Sequence, residues 1–95
     1  MLIIAGHVQV APERRDALVA VFGDLVRRAR AAPGCLDVAI TADSIDPGRI
    51  NNFERWESQD DLDRWRSVAH APDVGDEMIA VDVSLFDASG QRSPF

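Results

Sequence analysis

The chain has 95 residues, 46% hydrophobic and 27% charged, with a formal net charge of −6, which bounds it to one small domain, globular rather than disordered or membrane-spanning. All ten basic residues are Arg, so lysine Schiff-base chemistry is excluded, and the acidic balance argues against a nucleic-acid backbone as partner. A single cysteine, Cys35, supplies neither an internal disulfide nor, alone, a thiolate metal site; with no apolar run near the roughly 20 residues of a span, a cytoplasmic protein is expected.

Along the chain, Leu2–Val10 alternates, with Leu2, Ile4, Gly6, Val8 and Val10 on one side and Ile3, Ala5, His7 and Gln9 on the other, which predicts a strand. Pro12 then suits the first turn of a helix, acids follow at its positive end, and Arg27, Arg28 and Arg30 stand near its negative end. Leu18, Val21, Phe22, Leu25, Ala29 and Ala32 recur at helical spacing, so one helix over Pro12–Ala32 is expected. Pro33-Gly34 stops it.

Cys35–Ala42 alternates into a second strand, the Pro47-Gly48 turn follows, and Arg49–Glu57 resumes extended character, together predicting an antiparallel hairpin. Ser58 followed by Asp61 resembles a capping box and starts a second helix with Leu62, Trp65 and Ala69 on one face. His70-Ala71-Pro72 interrupts that helix, and Met78–Phe86 alternates as the last strand. The domain is expected over residues 1–88, with a Ser/Gly/Pro-rich tail at 89–95.

This order, β-α-β-β-α-β, places two helices on one face of a four-stranded antiparallel sheet and leaves the other face bare. Because the first and last strands carry apolar residues on both sides, a homodimer that packs two sheets face to face is expected.

The helix stop Ala32-Pro33-Gly34-Cys35-Leu36, the strand end Phe53-Glu54-Arg55-Trp56-Glu57-Ser58 and the spacing of Trp65 to His70 resemble the antibiotic biosynthesis monooxygenase family over about Met1–Phe86. The resemblance implies an α+β, ferredoxin-like fold assembled as a dimeric α/β barrel. It also implies one of several activities: cofactor-independent oxygenation of an aromatic polyketide, anthrone or quinol, haem degradation, or non-catalytic binding of a small ligand. On the first of these the partners are a small aromatic substrate and O₂, and no cofactor or metal is required.

In the anthrone-oxidising members an Asn and a Trp at the spacing of Asn52 and Trp56 line the substrate pocket. Strand periodicity puts these two side chains on one face, about 13 Å apart. An amide can donate to an oxyanion, and an indole offers a flat apolar wall with one N–H donor. His7, a mid-strand imidazole, is the candidate base, giving a catalytic set of His7, Asn52 and Trp56; the alternatives are a hydrogen-bonded or dimer-interface histidine at 7, a core Trp56 and a strand-end polar Asn52. Phe22, Trp65 and His70 are the expected pocket residues, with core packing for the two aromatics and helix capping for His70 as the alternatives. Tyrosine is absent, and neither a phosphate loop, a metal-ligand spacing nor a nucleophile elbow occurs.

Overall fold

The alternation in Leu2–Gln9 makes β1, whose Leu2, Ile4 and Val8 are buried while Ile3, Ala5 and His7 point to the other side. The computed structural model describes residues 1–95, continuing through helices α1 (Pro12–Val21) and α2 (Gly23–Arg30) to strands β2 (Cys35–Ala42) and β3 (Arg49–Trp56). Helix α3 (Gln59–Val68), a short 3₁₀ turn at Gly75–Glu77 and strand β4 (Ala80–Asp87) complete the chain. All neighbouring strands are antiparallel in the order β2-β3-β1-β4, the ferredoxin-like arrangement that the sequence predicts.

The helix expected over Pro12–Ala32 is two helices. It breaks at Phe22, which takes φ −82° and ψ −5°, just before Gly23. Glycine gives up more backbone freedom in a helix than any other residue except at a break, where its tolerance is useful. The two pieces then bury different residues, Leu18 from α1 and Ala29 from α2. The second helix begins as expected: Ser58 Oγ accepts from the Asp61 backbone N–H at 3.2 Å and donates to Asp61 Oδ2 at 2.7 Å, satisfying one of the orphan donors of the first turn. Strand β4 starts two residues later than the alternation suggests, because the Met78 N–H closes the 3₁₀ turn on the Gly75 carbonyl at 3.1 Å.

The helices cover one face only, and the molecule measures 38 × 35 × 19 Å, the thickness of one helix layer on one sheet. On the covered face the core falls into two clusters. Leu2, Ile4, Ala29, Val38, Trp56 and Leu62 form one, and Val8, Val10, Leu18 and Ile50 form the other. Strand register puts a single cross-sheet row between them, Ile40–Asn52–Gly6–Val83 in the order β2, β3, β1, β4. That row holds an amide and a residue without a side chain, so apolar packing is interrupted there. Gly6 is required by its backbone: at φ +153° an added Cβ would run into the Asp82 carbonyl of β4.

The opposite face carries Phe53 and Phe86, 36% and 53% exposed, with Ile3, Ala5, His7, Asn51 and Arg55 between or beside them. Edge strand β4 is exposed on both sides apart from Val83, which packs half-buried against both clusters, and Val81, which points toward the helix layer, is 62% exposed. Only 12 of the 95 residues are buried.

Candidate functional site

The break in the core is a cavity. It is lined by Val8 of β1 and Val10 just beyond it, Leu18 and Phe22 of the first helical pair, Ile40 of β2, Ile50 and Asn52 of β3, and Val74 and Met78 flanking the 3₁₀ turn. The volume open to the centre of a water-sized sphere is about 30 Å³, room for about two waters. Eight of the nine lining residues are hydrophobic, and Asn52 is the exception. Its Oδ1 is buried with no hydrogen-bond partner. An unpaired buried acceptor costs roughly 1–3 kcal/mol.

Each local feature that forms the site has a cause in the sequence. Period-two alternation in β3 turns Ile50, Asn52, Glu54 and Trp56 to the helix side. The helix break turns Phe22 onto the cavity. The turn after α3 brings Val74 and Met78 over it.

Of the expected site residues, the structure brings Asn52 and Phe22 together on this cavity and leaves the others elsewhere. Trp56 shares the Asn52 face but is 0% exposed within the larger core cluster, where it is packing rather than cavity wall. Trp65 stacks on Trp56 with centroids 6.4 Å apart and planes inclined by 23°, and the Arg28 guanidinium lies 5.6 Å from the Trp65 centroid. His7 is on the bare face, paired in register with Asn51 and Asp82; its Nδ1 is buried without a partner and its Nε2 is 3.7 Å from Asp82 Oδ2. His70 is exposed after the end of α3, at φ +47°, and does not line the cavity. The expected convergence of His7, Asn52 and Trp56 on one hollow is therefore not what the chain builds, because residues 6 and 7 of a strand face opposite ways.

Two further groups lie at the neighbouring core cluster. Trp56 Nε1–H donates to Glu54 Oε1 at 3.0 Å, which satisfies the only polar atom of a fully buried indole. Cys35, across from Trp56 in register, has its thiol pushed up from the ordinary range by burial, with the Asp37 and Glu54 carboxylates adding to the effect; it is held as a thiol rather than a reactive thiolate. No group of three His, Cys, Asp or Glu side chains suited to a metal ion occurs.

Sequence reasoning missed Val74, which lies in a segment without periodicity, Met78, which it assigned to the start of the last strand, and Gly6, for which a signal existed: a glycine inside a strand marks a place where packing is interrupted or backbones come close.

The sequence profile of the family described as antibiotic biosynthesis monooxygenase matches residues 1–74. The chain belongs to this family. Among solved structures, the fold superposes on a Nitrosomonas europaea protein assigned provisionally to the antibiotic biosynthesis monooxygenases, with a TM-score of 0.81 and 17% identity over 93% of this chain and 98% of that one. The Mycobacterium tuberculosis protein Rv0793 is 26% identical, with a TM-score of 0.77 and 97% of each chain covered. PA3566 from Pseudomonas aeruginosa is 24% identical, with a TM-score of 0.78 and 94% of each chain covered. A curated relative, the uncharacterized protein sll1783 of Synechocystis, is 24% identical over 62 residues, which is 65% of this chain and 42% of that protein. The match thus spans less than half of the Synechocystis protein. The family agrees with the resemblance of the short motifs, and the ferredoxin-like fold with the order of strands and helices that the patterns predict. No helix is long and apolar enough to cross a membrane.

Proposed function

We propose that the protein is a cofactor-independent monooxygenase that takes a small, flat aromatic hydroxyl compound, such as a quinol or an anthrone enol, into the cavity beside Asn52. One observation carries this reading: Asn52 is the one polar residue lining an otherwise apolar cavity, and its Oδ1 is buried and unpaired. An apolar ligand with one hydroxyl satisfies it.

The amide fits both protonation states of such a substrate. Oδ1 accepts from the neutral hydroxyl, and rotation of the amide presents Nδ2–H to the oxyanion left by ionisation. Oxygenation without a cofactor also requires the hydroxyl to lose its proton. No base lines the cavity, so the proton goes to solvent before the substrate is enclosed, and the electron-rich phenolate or enolate then itself passes an electron to O₂ while the site holds it away from water. At about 30 Å³ the cavity has room for no more than water, so binding requires Phe22, Val74 or Met78 to move aside. The haem alternative finds no imidazole on the cavity, since His7 and His70 both lie outside its lining.

The reading includes a homodimer. It is supported by the bare sheet face with its exposed Phe53 and Phe86, by the 12 buried residues of 95, and by the gain that a small domain makes on covering a second apolar face.

Oxygen uptake with a panel of anthrones and quinols is the test of function. Stimulation above the protein-free rate that is lost in Asn52→Ala is expected; a full panel without stimulation, or stimulation that survives Asn52→Ala, removes the reading.

A further inference from the structure

The three side chains whose movement would make room in the cavity beside Asn52 sit on backbone that is held very differently. Phe22 is tied on both sides: its N–H donates to the Val19 carbonyl at 3.2 Å, and its carbonyl accepts from the Val26 N–H at 3.0 Å. Val74 and Met78 belong to residues 70–78, the connection from α3 to β4, and both line the cavity.

That connection is pinned at its two ends. Before it, the Ala69 carbonyl accepts from Arg28 Nη1–H at 2.9 Å. After it, the Ile79 N–H donates to the Gln9 carbonyl at 2.8 Å. Between the pins the backbone bonds only to itself, through the Glu77 and Met78 N–H groups that close the 3₁₀ turn on the Val74 and Gly75 carbonyls. A segment with so few ties to its surroundings opens at less cost than the sheet and helices around it.

One polar contact holds the middle. Arg14 of α1 donates from Nε to Glu77 Oε1 at 2.6 Å and from Nη2 to Oε2 at 3.4 Å. No other side-chain hydrogen bond or ion pair joins residues 70–78 to the rest of the chain. Arg14 is four residues before Leu18, so the pair grips the connection against the same face of α1 that supplies a wall of the cavity. The remaining hold is apolar: Val74 and Met78, half-buried, rest on the smaller core cluster beside the cavity, where packing is incomplete.

We propose that residues 70–78 are a strap over the Asn52 cavity and that the Arg14–Glu77 pair is its latch. With the pair made, Val74 and Met78 close the cavity; with it broken, they move off and admit a ligand. The closed form has room for water only, so it excludes an aromatic ring, and apparent affinity follows the fraction of molecules whose strap is open. The inference rests on the reading that this cavity takes an aromatic ligand, and it adds how entry is controlled.

Thiol labelling reads the opening without a ligand. In a Cys35→Ser background, Leu18→Cys places a thiol on the cavity and Leu62→Cys places one in the other core cluster, at positions 2% and 0% exposed. Uptake of methyl methanethiosulfonate is followed by mass spectrometry at several low urea concentrations, with far-UV circular dichroism to check folding. The Leu18→Cys thiol is expected to label at least about tenfold faster than the Leu62→Cys thiol, at a rate nearly flat in urea, because local opening exposes little surface. Adding Arg14→Ala should speed it by about two- to fivefold, the range an exposed ion pair spans. The charge-swapped pair, Arg14→Glu with Glu77→Arg, should slow it again. Equal rates and urea dependence at the two positions, or a Leu18→Cys rate indifferent to Arg14→Ala, overturn the strap, and an effect that the charge swap fails to reverse overturns the latch.

Equilibrium dialysis with 2-naphthol, on protein that keeps Leu18, adds the ligand. Arg14→Ala should raise its affinity by the same factor as the labelling rate; unchanged or weaker binding overturns the control of entry. Binding in no variant removes the aromatic-hydroxyl reading, and the labelling rates then decide the strap by themselves.

Discussion

His7 and Asn52 lie on opposite faces of the sheet although they are one register step apart on adjacent strands, Asn52 pairing with Gly6 and His7 with Asn51. The helix-covered face therefore has an amide and no imidazole, and the bare face has the imidazole with an unpaired Nδ1. Asn52→Ala should weaken binding of an aromatic hydroxyl ligand by about 1–3 kcal/mol, the cost of a lost buried hydrogen bond, while His7→Ala changes it by less than about twofold. Parallel titrations of the two variants check this; a larger loss in His7→Ala would place the ligand on the other face.

Leu18 is 2% exposed and lines the cavity. Leu18→Ala should enlarge the hollow and cost about 2–5 kcal/mol of stability, since a partly collapsed cavity loses both transfer and packing energy. The urea midpoint should fall with an unchanged slope, and the loss should be partly recovered when an apolar ligand fills the added space.

Phe86 lies on the bare face, opposite Ile3 in register. In a face-to-face dimer a charge placed there is buried without a partner, so Phe86→Asp should shift the protein toward monomer in sedimentation velocity. An unchanged sedimentation coefficient at dimeric mass would place the interface elsewhere, along the bare β4 edge.

The hairpin between β2 and β3 is held by Asp43, whose carboxylate accepts from the backbone N–H groups of Asp46 at 2.8 Å and Ile45 at 3.1 Å and from Asn51 Nδ2 at 2.9 Å. Those hydrogen bonds, led by the one from Asp46, lower its pKa to about 2. A carboxyl depressed in the folded state stabilises above its unfolded value near 4, and the contribution fades as pH falls toward 2. The difference in urea midpoint between wild type and Asp43→Ala should accordingly narrow between about pH 6 and about pH 2; a gap that stays constant would assign the effect to something other than the ionised carboxylate.

Local periodicity determined a good part of this protein from sequence alone. The faces of Leu2, Ile4 and Val8, the strand Cys35–Ala42 and the Ser58 cap follow from alternation and from side-chain to backbone hydrogen bonds that span a few residues, and these interactions act within a segment whatever the rest of the chain does. The placement of Asn52 and Trp56 on one face followed in the same way. The helix break at Phe22 did not, because the apolar stripe of α1 and α2 is continuous on paper and only the different targets of Leu18 and Ala29 separate the two pieces. Nor did the cavity, whose walls come from three strands, the helical pair and the segment around the 3₁₀ turn. Which of two aromatic or polar residues on one strand face becomes core and which faces empty space depends on what packs across from it, as Trp56 against Leu2 and Asn52 against Gly6 show. That is a property of the assembled register, settled by the shapes of residues distant in the chain, and no single segment carries it.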